Sequence, residues 1–303
     1  MMNNMQWNDR FNIGVDIVDK AHQRLFSIVL KMIELNEDSE KREYACRETI
    51  KYFKSYTVKH FAEEEAYMKS INYSGYDMHK RLHDNMKNKT IPALEEELEE
   101  QKYSEISVQH FLGICIGWLT GHIMIEDCAI TGRNSNKWVY NSDDEDIYAL
   151  EKAISEVMRQ VFGIELRLVS ERYGGEDFGK GVFYRFTYRS QDNEKFQIFM
   201  AFEEKLIIYM ISEILGKQLH KIDKTVVYAV KQLSLQLVKR VGVLLKPLGT
   251  FKLEKEDVMN YEQILLAFEK EYPPYSLLFG TGGNGYFAFC VKKQKTVSTK
   301  KTQ

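Results

Sequence analysis

Apolar side chains recur every three or four residues through the first 130 positions, then change rhythm. Ala21, Leu25, Phe26, Val29, Leu30 and Ile33 form one stripe, which predicts a helix over 17–35. The same period predicts a second helix over 43–68, with Ile50, Phe53, Tyr56 and Phe61 facing inward. A third is expected over 76–100. A fourth is expected over 108–130, with Phe111, Ile114, Cys115, Trp118 and Leu119 apolar. The stretch carries a single proline, Pro92. Short polar connections at 36–39, 72–75 and 101–104 favour antiparallel neighbours, hence an all-α, up-down four-helix bundle.

Thr131-Gly132-Arg133-Asn134-Ser135-Asn136 carries helix-stop chemistry, and 141–146 is a short acidic linker. Beyond it an amphipathic helix is expected over 148–161, and strands over 164–169, 182–188 and 196–202. In the last, Phe196, Ile198, Met200 and Phe202 alternate with other residues, the period of a half-buried strand. Helices are expected over 205–215 and 224–245. Strands over 275–279 and 286–291 flank a hairpin loop, Gly280-Thr281-Gly282-Gly283-Asn284-Gly285. This half reads as an α+β domain. The expected division is a bundle at 1–135, a linker at 136–146, the α+β domain at 147–292 and a solvated, disordered tail at 293–303.

A length of 303 residues suits two such domains. A net charge of −2 gives no electrostatic case for nucleic acid or an anionic membrane surface. No apolar run is read as approaching the roughly 20 residues that a membrane span needs. The N-terminus lacks a basic segment followed by an apolar one, so no secretory signal is expected. Four cysteines (Cys46, Cys115, Cys128, Cys290) without CxxC spacing suit reduced, structural thiols in a cytoplasmic protein. His110 and His220 read as ordinary exposed histidines.

The other five of the seven histidines fall in one array. His22 lies on the first predicted helix, His60 and Glu64 on the second, His79 and His83 on the third, and His122 and Asp127 on the fourth. His60/Glu64 and His79/His83 are spaced i, i+4, which stacks two side chains on one helix face. His122 to Asp127 is i, i+5, slightly off one face, so the carboxylate must lean back toward the others. Imidazoles and carboxylates converging between four helices suit two iron ions, with carboxylates able to bridge. The same donor set also accepts other divalent ions.

These residues resemble the hemerythrins, bacterial ones in particular. The likeness covers about residues 5–132. It includes Trp7, Asp19-Lys20-Ala21-His22 with Leu25, His60-Phe61 with Glu64-Glu65 and Met68, His79 and His83, and Trp118-Leu119 before His122-Ile123 and Asp127. The resemblance implies that His79, His83 and His122 bind one iron and His22 and His60 the other. Glu64 and Asp127 would bridge the pair together with an oxo or hydroxo group. It leaves the two-histidine iron one open position, for dioxygen. Trp118 and its apolar neighbours would wall that pocket.

Residues 146–292 resemble the CheX/CheC-type chemotaxis phosphatase domain. Phe196-Gln197-Ile198-Phe199-Met200-Ala201-Phe202 leads into 206–216, and a helix from 223 to 241 follows. In that family a helix carries Glu-x-x-Asn, whose Asn orients the water that attacks an aspartyl-phosphate. Here Gln232 stands for the acid and Leu235 for the Asn, and leucine can neither donate nor accept a hydrogen bond. Val226, Val227, Val230, Leu233 and Leu237 read as core.

Together these point to a dioxygen-binding protein whose bundle senses oxygen or redox state and whose second domain signals, the departure at Leu235 weighing against an enzyme. The partners implied are dioxygen and a response-regulator receiver domain, with a homodimer left open. Two alternatives stand beside it. One is a carrier or scavenger with a C-terminal assembly domain; the other is an oxygen-regulated response-regulator phosphatase.

Overall fold

The computed structural model describes residues 8–36, 42–133, 146–177, 179–191, 194–242, 251–270 and 272–294. Trp7, most of the acidic linker and the end of the tail lie outside them. By internal contacts the chain forms two compact units, Met1–Trp138 with Ile211–Leu233, and Val139–Met210 with Ser234–Gln303.

Unit 1 is built on long helices. Helix α1 spans Asp16–Asn36 and α2 spans Arg42–Ser70. The loop before α1 is tied down by Asp19, whose carboxylate accepts the Ile13 N–H at 2.6 Å and the Gly14 N–H at 3.1 Å. That carboxylate therefore fixes the turn from which His22 projects. The third predicted helix is interrupted. Helix α3 (Tyr76–Asn85) passes through a π-helical turn at Met86–Thr90 into α4 (Ile91–Glu100). Pro92 supplies the cause, since its ring crowds the carbonyl four residues back and it has no N–H to donate.

Helix α5 (Glu105–Gly121) begins where the Ser104 hydroxyl accepts the Ser107 N–H. It runs through a second π-helical turn at His122–Asp127 into a last helical turn, α6 (Cys128–Ile130). The expectation of no membrane-length apolar run is corrected here. Glu105–Ile130 is long and apolar enough to cross a membrane, but 83% of its apolar window is buried inside the chain. Leu112, Gly113, Ile114, Cys115 and Ile116 are all buried in sequence, so this helix is apolar all round because it is a core helix.

Side-chain pairs fix the directions. His22 meets His60 while Arg24 meets Tyr52, so α1 and α2 run antiparallel. Phe53 meets Phe111 while Phe61 meets Trp118, so α2 and α5 run parallel. This is up-down bundle geometry. Helix α8 (Glu204–Leu215) and helix α9 (Lys224–Val241) each cross the division between units. Within unit 1, α9 lies directly on α5. A Cβ placed on Gly113 would sit 2.6 Å from the Thr225 carbonyl oxygen, and one on Gly117 would sit 2.5 Å from that of Ala229. Only glycine permits that approach.

Unit 2 contains helix α7 (Asp146–Phe162) and one antiparallel six-stranded sheet in the order β1-β5-β6-β3-β2-β4. The strands are β1 (Arg167–Ser170), β2 (Gly181–Ser190), β3 (Lys195–Glu203), β4 (Phe251–Met259), β5 (Tyr275–Gly280) and β6 (Tyr286–Gln294). Strand β4 and helix α10 (Tyr261–Lys270) are additions to the sequence reading. The central strand β3 is buried on both faces rather than one. Phe196, Ile198, Met200 and Phe202 fill one face. Phe199 and Ala201 fill the other, in a core with Tyr173, Phe183, Ile264 and Phe268, the last two from α10. The first strand starts at Arg167, not 164, although Ile164 is buried. Strand β6 reaches Gln294, where Lys195 pairs with it, two residues into the segment read as tail. The predicted end of α9 at 243–245 lies outside the described residues.

Candidate metal centre

Five imidazoles and two carboxylates on four helical segments are all buried. His22, Glu64, His83 and Asp127 are fully enclosed, and His60, His79 and His122 nearly so. All seven predicted residues come together. Asp127 Oδ2 lies 3.2 Å from His22 Nε2, while its Oδ1 lies 3.3 Å from His79 Nε2 and 3.1 Å from His122 Nε2. Glu64 Oε2 lies 3.6 Å from His60 Nε2 and 3.4 Å from His83 Nε2, and Oε1 lies 3.7 Å from His79 Nε2. Each carboxylate thus faces one histidine of the His22/His60 pair and at least one of the His79/His83/His122 group. A carboxylate between two metal sites has that arrangement.

The i, i+5 spacing of His122 and Asp127 has a structural answer. In a regular α-helix the two would point about 140° apart. The π-helical turn, closed by the Cys128 N–H donating to the Ile123 carbonyl, widens that turn and returns Asp127 to the histidine's side.

The donor chemistry fits a metal pair. Both Glu64 oxygens, both Asp127 oxygens, both His22 ring nitrogens and His60 Nδ1 have no hydrogen-bond partner among the described residues. Their close approaches lack hydrogen-bond geometry. Buried polar atoms normally find partners, so a cluster of converging lone pairs is the signature of a cation cage. Ligand atoms of Glu64, His79, His83 and His122 all fall within 4.8 Å of one another.

Electrostatics act in the same direction. Burial and neighbouring imidazoles hold His60 and His122 well below the ordinary histidine range, and bring His83 down to about 3. These rings are neutral, the form that binds a metal. Burial and the Asp127 charge push the Glu64 carboxyl well above its usual value. Burial would raise Asp127 too, but His122, His22 and His79 outweigh it and hold that carboxyl low.

Sequence reasoning gave no role to Glu65 or Phe61 and cast Trp118 only as a wall of the pocket. Glu65 Oε1 lies 3.1 Å from His83 Nδ1 and so aims His83 Nε2 into the cage, as outer carboxylates commonly do. Phe61 stacks on His83 at 3.9 Å between centroids, and Trp118 on His122 at 4.3 Å. The signal for Glu65 was its place beside Glu64, one position round the same helix.

Elsewhere, His110 is half-buried rather than exposed. It pairs with Glu97 at 2.8 Å and packs on Tyr228, whereas His220 is exposed as expected. All four cysteines are free and buried, and burial raises the Cys128 and Cys290 thiols to about 12. A cleft of about 820 Å³ in unit 2 is lined by Arg167, Glu203, Lys205, Tyr209 and Asn284, with no metal-ligating cluster there among the described residues. On α9, Leu235 is buried and Gln232 half-buried, and Val226, Val230, Leu233 and Leu237 are core.

Residues 13–130 match the hemerythrin HHE cation binding domain family. The chain is similar to the bacteriohemerythrin of Clostridium acetobutylicum, at 33% identity over 125 residues, covering 40% of this chain and 94% of that protein. By structure, the C-terminal sheet and helices are similar to chemotaxis protein CheX from Vibrio vulnificus, at 12% identity and a TM-score of 0.37, covering 49% of this chain and 100% of that one. They are also similar to the Borrelia burgdorferi protein solved as a CheX–CheY complex, at 12% identity and a TM-score of 0.38, covering 50% of this chain and 99% of that one. With its cage of histidines and carboxylates inside the matched segment, the chain belongs to the hemerythrin family.

Proposed function

We propose that the protein is a dioxygen sensor with a di-iron centre. His79, His83 and His122 would hold one iron and His22 and His60 the other, with Glu64 and Asp127 bridging. When bound, the iron pair supplies reversible dioxygen chemistry. The protein's part is to keep His60, His83 and His122 neutral, fix ring directions through Glu65 and the stacked Phe61 and Trp118, and exclude water. The observation that carries the di-iron assignment is the double-facing placement of Asp127 and Glu64, each between the two histidine groups.

Sensing rather than carriage is favoured by α9. It lies backbone to backbone on α5, the helix that runs straight into His122. A shift of the π-helical turn on oxygen binding would displace α5 and therefore α9. In this reading residues 1–135 hold the metal and 147–292 are the output domain, which recognises a receiver domain without dephosphorylating it. Hydrogen–deuterium exchange of the reduced iron-loaded protein, with and without dioxygen, tests it. Changed protection in both 113–127 and 224–241 supports a sensor. Changes confined to the cage residues favour a carrier.

A further inference from the structure

Thr57 is one of three buried serines and threonines, with Thr120 and Ser234, whose hydroxyl no hydrogen bond among the described residues accounts for, and it is the one that shares a helix face with His60 and Glu64. It is 1% exposed, and its hydroxyl has no hydrogen-bond partner among the described residues. A threonine inside a helix can bond the carbonyl one turn back, yet this one does not. An unpaired buried hydroxyl costs roughly as much as a lost hydrogen bond, so its position needs a reason.

Its position is next to the centre. Thr57, His60 and Glu64 fall within about 60° of arc on α2, so all three face the bundle interior. Thr57 lies about 4.5 Å along the axis from His60, on the side away from Glu64. Because α1 runs antiparallel, the matching position there is Leu25, three residues after His22 and fully buried. Leu25 and Thr57 therefore form the next layer beyond the His22/His60 pair. The carboxylates lie on the opposite side of that pair. Aromatic planes cover His83 and His122 of the other group, whereas the His22 and His60 rings meet each other edge-on at 4.8 Å. On the side of the His22/His60 pair away from the carboxylates, where a small molecule on that metal would lie, the layer is Leu25 and Thr57. Leu25 offers no donor; Thr57 offers one O–H.

We infer that Thr57 is a positioning residue for the exogenous ligand, donating its hydroxyl hydrogen to the outer atom of a small electron-rich ligand on the His22/His60 metal. The inference rests on the di-iron reading above. It fits a diatomic or linear triatomic ligand with an acceptor at its far end.

The test uses the full chain loaded with iron and oxidised, with azide as probe. Iron per chain and azide affinity, followed by visible absorption, are measured for the wild type, Thr57→Val, Thr57→Ala and Thr57→Ser. Iron content should be unchanged throughout. Azide should bind about tenfold more weakly to Thr57→Val and Thr57→Ala, the effect of one hydrogen bond to a charged ligand. Thr57→Ser should stay within about threefold of the wild type, and the bound azide stretch should shift in Thr57→Val and Thr57→Ala but not in Thr57→Ser. A purely packing role would change thermal stability and leave azide affinity alone. Equal azide affinity at equal iron content in Thr57→Val or Thr57→Ala overturns the inference and leaves the di-iron reading standing. A folded wild type that takes up no iron overturns both.

Discussion

Buried polar groups divide the two units. In the bundle those of the cage are largely unsatisfied among the described residues. His22, His60, Glu64 and Asp127 bring lone pairs together and leave them without partners. In the sheet unit, several buried polar groups belong to closed arrangements: Ser276 donates to the Tyr173 carbonyl, Gln197 to Thr187, and Thr281 to the Gly285 carbonyl. Satisfied polar groups hold a fold together; converging unsatisfied ones ask for a ligand. The comparison explains why chemistry could be read from the first half and only architecture from the second.

The largest effect should come from removing a group that faces both histidine sets. Asp127→Ala and Glu64→Ala should each lose at least one iron per chain, because the substitution removes negative charge and an oxygen donor from both metals at once. Metal analysis of the purified variants checks this, and full loading in both would break the contrast between the units. Next, His22→Ala and His79→Ala should differ. The first leaves its metal a single imidazole and should abolish azide and dioxygen binding. The second leaves two and should retain partial iron. A normal oxygen adduct in His22→Ala would mean the open position lies in the other group.

The contrast can be sharpened from the other side. Gly117→Val would drive a side chain into the Ala229 carbonyl and Gln232, and should destabilise the protein by about 1–3 kcal/mol in chemical denaturation. It should also blunt any oxygen-dependent exchange in α9. On the sheet side, the whole chain should not speed phosphate loss from an acetyl-phosphate-charged receiver domain. The position read as the motif's Asn is the buried, apolar Leu235. Clear acceleration would place the motif in another register.

A smaller effect is expected from pH. In the metal-free protein His83 is held near 3, far below an unfolded histidine at about 6.5. Between those values the unfolded chain binds a proton that the folded chain does not. Stability should therefore fall as pH drops from about 6.5 toward 3, by roughly 1.4 kcal/mol per unit for each such histidine. A flat stability profile across that window would show that the apo cage opens to water.

The ligand residues could be read before the fold because helical spacing is local. His60/Glu64 and His79/His83 announce a shared face without any tertiary knowledge. What escaped the sequence was set by longer-range or backbone effects. The π-helical turn at 122–127 was visible only as an awkward spacing. The break after Asn85 was encoded by Pro92, but i, i+4 periodicity on either side masked it. Strand β4 has exposed positions at Lys252 through Lys255, so its apolar alternation is too faint to stand out beside the charges. Burial of β3 on both faces depended on α10 covering the second one, a tertiary fact. The packing of α9 on α5 rests on two glycines, and a glycine in an apolar helix does not name its neighbour.

The most direct test is iron stoichiometry with a dioxygen titration of the full-length wild type. Two irons per chain are expected, together with a charge-transfer spectrum that is absent in the reduced form and appears reversibly on exposure to dioxygen. A folded protein that binds no more than one metal per chain, or whose spectrum ignores dioxygen, would contradict the di-iron sensor.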